Sequence, residues 1–183
     1  MYLLDTNVLY SSILRDFFIT LGVMGVPIRW SDQIEAEFIT VRHRKNPDHD
    51  IRTKRVLEQM RRAFPDYRAV VDNLQVEALT LPDPDDRHVL AAAISVGASV
   101  IVTSNLRDFP TAVLEQYGVI VMSPDQALCH LFDQAPDSII KTVIEIRGRM
   151  INPTLTPTEW LEFLQAAGGR TLTTKLQAFI EQL

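Results

Sequence analysis

The sequence predicts an α/β protein, with a mainly parallel central sheet flanked by helices and an all-α extension at the C-terminal end. Three observations predict it. Over residues 1–122, short apolar runs bounded by turn residues alternate with segments of helical period, the order that builds a parallel sheet with crossover helices. From Ser123 onward strand signals cease and only helical patterns remain. Finally, three of the apolar runs lead directly into acids or amides: Asp5, the Asp83-Pro84-Asp85-Asp86 cluster, and Asn105 with Asp108. Ligands of open parallel sheets sit outside the carboxyl ends of the strands.

The elements follow in order. Met1–Leu4 reads as a first buried strand and Val8–Leu21 as a helix. Pro27–Trp30 is the second strand, and Ser31 caps a helix reaching about Arg44, since a serine hydroxyl satisfies a free N–H of the first turn. Ile51–Phe64 keeps helical spacing through Leu57, Met60 and Phe64. Gln75–Leu81 reads as a strand, Asp86–Gly97 as a helix ended by glycine. Ser99–Thr103 and Val119–Met122 are further strands, with Pro110–Tyr117 helical between them. Ser123-Pro124-Asp125-Gln126 and Thr156-Pro157-Thr158-Glu159 are capping-box starts with proline at the first helical position. Between these starts Pro136–Arg149 is helical, and a last helix carries Leu172, Leu176, Phe179, Ile180 and Leu183. The division is residues 1–122 and residues 123–183, with Asn152-Pro153 as hinge. The apolar stripes of the extension must bury against the α/β body or a second subunit.

Composition narrows the function. Hydrophobic residues at 46% and charged residues at 22% are those of an ordinary globular chain. The single cysteine, Cys129, leaves no internal disulfide or cysteine-based zinc cluster and fits a reducing cytoplasm. No basic-plus-apolar leader is apparent, and no apolar run reaches the roughly 18 residues of a membrane span, so a cytoplasmic protein without membrane association is expected. Net charge is −5, yet Val41–Arg68 holds nine basic residues, among them Arg42, Arg44, Arg55 and Arg62, against four acidic ones. A basic surface beside an acidic cleft would attract phosphates to an anionic centre. The plain alternative is a solvated helix face.

Clustered acids on rigid strand ends suit a hard cation such as Mg²⁺ or Mn²⁺, which takes oxygen ligands and keeps several waters. Each acid also has a structural reading. Asp5 can cap the helix that follows, and Asp83 before Pro84 looks like an N-cap. Asp86 falls in a first turn, where the helix dipole favours negative charge. Glu37 is placed like many solvated helix glutamates, while Asn105 and Asp108 are common turn formers. Their shared placement raises all of them together.

Four motifs carry a resemblance: Leu4-Asp5-Thr6-Asn7-Val8-Leu9, Ser31 with Glu37, Asp83 to Ala93, and Val102-Thr103-Ser104-Asn105-Leu106-Arg107-Asp108-Phe109. In this order and spacing, residues 1–122 resemble a PIN-domain nuclease of the kind found in VapC-type toxins, and the helical extension is a looser match. The resemblance implies a PIN-like fold and assigns Asp5, Glu37 and Asp86 to the acidic metal positions. At the fourth position many members have Asp, whereas this chain has Asn105, leaving Asp108 to supply a carboxylate. Thr6, Asn7 and Thr103 are expected to orient Asp5 or touch substrate. Further implications are Mg²⁺- or Mn²⁺-dependent RNA hydrolysis by metal-activated water, a homodimer, and a small antitoxin partner.

Two other readings compete. A phosphatase-type hydrolase would want a second Asp where this chain has Asn7. A catalytically weak RNA- or protein-binding module with a degenerate metal site is compatible with Asn105.

Overall fold

The computed structural model describes residues 1–150 and 154–183. Asn152-Pro153, the expected hinge, lies outside the described residues. The centre is a five-stranded, all-parallel sheet of β1 (Tyr2–Leu4), β2 (Ile28–Ser31), β3 (Arg68–Ala69), β4 (Val100–Val102) and β5 (Ile120–Met122), in the order β3-β2-β1-β4-β5. The registers are direct. Tyr2 sits beside Ile28 on one side and Val100 on the other, while Leu4 pairs with Val102 and Val102 with Met122. Because every strand runs the same way, all five carboxyl ends lie on one edge. The central β1 delivers Asp5 between Ser31, which ends β2, and Thr103, which follows β4. The strands are fully buried, apart from the two edge strands and Arg29, which is why they read as continuous apolar runs rather than as alternating ones.

The expected strand Gln75–Leu81 is not in the sheet. Asn73–Ala78 forms a short helix (α5), capped by the Asp72 carboxylate accepting from the Leu74 N–H at 3.0 Å. Leu79 and Leu81 are buried and Thr80 between them is exposed, so the alternation is real but has no neighbouring strand to pair with. The third strand is instead the two-residue β3, at the edge beside β2, too short to leave a pattern in sequence. Asp83–Asp86 therefore follows an extended loop and not a sheet strand.

Among the helices, the expected Val8–Leu21 is broken at Ser11. Its extended backbone ends α1 (Thr6–Tyr10), and its hydroxyl caps α2 (Ser12–Val23). The break lets α1 leave the sheet edge on its own axis with Thr6 and Asn7 in its first turn. Next come α3 (Asp32–Lys45), with Ser31 accepting from Ile34 N–H at 3.2 Å as expected, and α4 (Asp50–Ala63). After α5, α6 (Arg87–Ser95) enters through a 3-10 turn at Pro84–Asp86, and α7 (Thr111–Leu114) is a single turn.

The C-terminal region holds α8 (Pro124–Gln134), α9 (Pro136–Arg149), α10 (Pro157–Ala166) and α11 (Arg170–Gln177). Both capping boxes form in full. The stripes bury against the α/β body of the same chain. The Phe17 and Trp160 rings lie 5.9 Å apart, the Arg149 guanidinium donates to Thr20 Oγ1 at 2.6 Å, and the Thr142 hydroxyl reaches Met24 Sδ at 3.3 Å. Helix α2 is thus covered on its outer side. On its inner side Gly22 lets it approach β2, since a Cβ there would meet Ile28 Cδ1 at 2.7 Å.

Candidate active site

Backbone geometry makes Asp5 the N-cap of α1, and its side chain is 4% exposed. Asp5 Oδ1 accepts from the Thr6 N–H at 2.6 Å, while Oδ2 accepts from the Thr103 hydroxyl at 2.7 Å and from Asn7 Nδ2. Asn7 Nδ2 also donates to Thr103 Oγ1 at 2.8 Å, and Asn7 Oδ1 accepts from Ser104 N–H at 2.9 Å. Asn105 N–H completes the net by donating to Thr103 Oγ1 at 3.0 Å. The ends of β1 and β4 are therefore laced together around one carboxylate. Capping and a chemical role are not exclusive here, since the cap uses only Oδ1.

Thr6 links this net to α3. Its hydroxyl donates to Glu37 Oε2 at 2.7 Å. The other oxygen, Oε1, lies 2.6 Å from Nε2 of His88, a side chain 1% exposed on the first turn of α6. That contact is close but off the line of a well-formed N–H···O bond, and His88 Nδ1 has no partner among the described residues.

The electrostatics show crowded negative charge. Burial pushes Asp86 up to about 6, reinforced by the charges of Asp5, Asp108 and Asp83 and partly offset by His88. Burial likewise raises Asp5; the hydrogen bonds from Thr103 and Thr6 oppose it, Glu37 adds to it, and His88 opposes it. Burial would also raise Glu37, but the close His88 imidazole and the hydrogen bond from Thr6 outweigh it, so Glu37 is held below the usual range. Glu37 is thus favoured in its charged form, while Asp86 feels the charge of Asp5.

The other expected residues fall into two groups. Asp83 is an exposed N-cap accepting from Asp85 N–H at 2.9 Å, so Asp86 is the member of its run that senses Asp5. Asn105 is exposed, and Asp108 is half-buried at the end of a 3-10 turn, both lining an open hollow of about 430 Å³ with Ser104, Leu106 and Arg107. Of the basic residues, Arg44, Arg55 and Arg62 are exposed on α3 and α4. Arg42 is more constrained, its guanidinium 5.9 Å from the Tyr10 ring centre and 5.7 Å from that of Phe38, with Nε donating to Thr53 at 3.4 Å. Lys45 Nζ stands 4.7 Å from the same Tyr10 ring. His88 is the residue that sequence reasoning missed. A lone histidine on a helix face otherwise made of Val89, Ala92 and Ala93 reads as core, and only its place two residues beyond Asp86 hints otherwise.

The donor set fits a hard divalent cation: Asp5 and Asp86 offer oxygen and only partly compensated charge, and one or two carboxylates suffice for an ion that keeps its waters. A single ion shared by Asp5, Glu37, Asp86 and Asp108, as the sequence led us to expect, has no ready cage. Among the described residues no three His, Cys, Asp or Glu side chains form a group that could hold one. Glu37 itself faces Thr6 through Oε2 and His88 through Oε1.

A PIN domain family model matches residues 1–107. The chain belongs to the PIN-domain family. Beyond this PIN domain, residues 124–178 match a second family model, the VapC50 C-terminal domain. A Mycobacterium tuberculosis (strain ATCC 25618 / H37Rv) protein named "Putative ribonuclease VapC50" is 37% identical over 79 residues, covering 43% of this chain and 47% of that protein. The match thus spans about half the length of that relative. No solved structure matches the chain. Among the described residues no helix is long and apolar enough to cross a membrane.

Proposed function

We propose that the protein is a Mg²⁺- or Mn²⁺-dependent endoribonuclease that hydrolyses phosphodiester bonds in RNA, acting as the toxin of a toxin–antitoxin pair. The observation that carries this reading is the pair Asp5 and Asp86. Two carboxylates sense each other's charge at the carboxyl edge of a parallel sheet, offset only in part by His88, and one of them is pushed up to about 6. That is an arrangement a divalent cation would relieve. When bound, such an ion would lower the pKa of water and offset charge developing on phosphate oxygens.

The chain's own groups would hold the geometry. Thr6 N–H, Thr103 and Asn7 fix Asp5, so its free lone pairs point one way before any ligand arrives. Thr6 couples that orientation to Glu37 on α3. Asp86 and, at the rim, Asp108 would complete the anionic face, with Asn105 adding an uncharged carbonyl. Arg42, Arg44, Arg55 and Arg62 would meet backbone phosphates, supplying the affinity that a net charge of −5 otherwise opposes.

The family resemblance and the relative named a ribonuclease support RNA as substrate, a small antitoxin partner and a homodimer. We assign residues 1–122 to the nuclease body and residues 123–183 to the helical extension, and place the protein in the cytoplasm, in keeping with its single half-buried free thiol. The second reading, a binding module with a degenerate metal site, is favoured by the lack of a three-carboxylate cage among the described residues. Turnover of single-stranded RNA separates the two. We expect cleavage with Mg²⁺ or Mn²⁺ that EDTA abolishes and that Asp5→Asn lacks. RNA binding without cleavage under any of these ions would leave the binding module.

A further inference from the structure

We propose that His88 is a positioning residue that clamps Glu37, dividing the cluster into Asp5 and Asp86, free to meet a cation, and Glu37, fixed as an acceptor. This rests on the reading of the cluster as a hydrolytic centre. Three helices meet at Glu37. From α1, Thr6 holds Oε2 at 2.7 Å; from α6, His88 Nε2 stands 2.6 Å from Oε1. With Oε2 held by a hydrogen bond and Oε1 in close contact with the imidazole, the carboxylate cannot rotate without losing one or the other.

A purely structural role does not account for a histidine there. Buried imidazoles normally find partners for both nitrogens, yet His88 is 1% exposed and Nδ1 has none among the described residues. Its ion-pair partner among the described residues is the Glu37 carboxylate. An apolar side chain would fill the buried site without leaving a buried nitrogen unpaired. What the imidazole adds is a polar nitrogen facing Glu37. Removing it would free one Glu37 oxygen to swing toward Asp5, whose charge already senses Glu37. Affinity for a cation would then rise while the acceptor loses its fixed orientation. The two consequences have opposite signs, which loss of fold or of a ligand cannot produce.

The test uses the full chain and its His88→Leu, His88→Gln and His88→Asn variants, with Mn²⁺ alone followed by paramagnetic resonance titration and RNA cleavage followed separately. The Gln side-chain amide reaches about as far as Nε2 and the Asn amide only as far as Nδ1. We expect H88L and H88N to cleave about 10–100-fold more slowly at saturating RNA, the size of loss typical when a residue orienting a metal-site group is removed. Both should bind Mn²⁺ several-fold more tightly, and H88Q should stay near the parent in both respects. In an E37Q background H88L should cause no further loss, since the two act as a unit. Because H88N and H88Q keep a polar side chain, they carry the comparison if H88L does not fold. Parental cleavage in H88N, H88Q no better than H88N, or Mn²⁺ binding that weakens in step with cleavage would each overturn the clamp. If the parent binds Mn²⁺ but does not cleave RNA, the hydrolytic reading fails, and the Mn²⁺ affinities alone still decide whether His88 holds Glu37.

Discussion

Asp5 serves α1 as its cap through Oδ1 and gathers three neighbours through the two oxygens together. Asp5→Asn keeps the cap but sets an amide N–H₂ against Asn7 Nδ2 or the Thr6 N–H, donor facing donor. It also removes one repelling charge from beside Asp86 and Glu37. These effects oppose each other, so the melting temperature is expected within about 3 °C of the metal-free parent, while cleavage falls at least ~100-fold because the charge at the cluster is lost. Retained cleavage would remove Asp5 from the chemistry. Asp86 gives a pH signature. Its carboxyl titrates at about 6 in the folded chain against 3.8 ordinarily, so the folded state binds its proton more tightly. The stabilising contribution of that proton is complete below about pH 3.8 and is lost as pH rises through 6. In EDTA, Asp86→Asn should therefore melt ~2–4 °C above the parent at about pH 7.5 and level with it at about pH 4. A variant that melts below the parent at the higher pH would show that Asp86 is neutralised by something other than a proton.

At the scale of elements, α3 and α4 carry eight of the eighteen lysines and arginines, but their arginines do different work. Arg61 binds the Glu35 carboxylate, which is 2% exposed and also accepts from Trp30 Nε1 at 2.9 Å. Arg61 is itself half-exposed, so Arg61→Ala, which leaves Glu35 with Trp30 as its donor, is expected to cost about 1.5–2 kcal/mol, read from urea melts. Neutralising Arg44, Arg55 and Arg62 should each change stability by less than ~0.5 kcal/mol. Together with Arg42 they should flatten the salt dependence of RNA binding, by up to about 0.7 in slope for each phosphate of a single strand that is no longer neutralised. An unchanged slope would show a solvated face. Charge type was legible in sequence here, but the split between structural and free arginines was not. It depends on Glu35 pointing inward one turn after Ser31 while Glu37 points to Thr6, and periodicity alone did not rank those two. The same limit explains Gln75–Leu81. Alternation of Leu79 and Leu81 reported burial correctly, but pairing is a property of neighbours, and β3 was too short to announce itself. Caps at Ser31, Ser123 and Thr156 were legible because their chemistry is local. Likewise Asp5, Thr6 and Thr103 could be placed from strand ends, whereas the contact of His88 with Glu37 joins two helices far apart in sequence.

For the whole molecule, the boundary near Met122 separates two kinds of pattern, and packing does not respect it. Helix α2 lies between β2, approached at Gly22, and the C-terminal helices, which cover Phe17, Thr20 and Met24. On the far side, Trp160 and the Ile139, Val143 and Ile146 stripe of α9 are buried in the same continuous core. Each large apolar side chain that loses its cover forfeits about 1.5–3 kcal/mol, and removing residues 123–183 uncovers several at once. That sum rivals the net stability of a domain, roughly 5–15 kcal/mol. The full chain is therefore expected to unfold in one calorimetric transition, with calorimetric and van't Hoff enthalpies equal. The fragment 1–122 should be insoluble, or lack a cooperative melt, even though it carries every residue of the acid cluster. Since Asp5 is held by α1, and only Ser11 separates α1 from α2 in the chain, loosening α2 should also lower Mn²⁺ affinity in any soluble fragment. Two separate transitions in the full chain, or a fragment that melts cooperatively and binds Mn²⁺ like the parent, would show the extension to be an independent unit resting on a self-sufficient body.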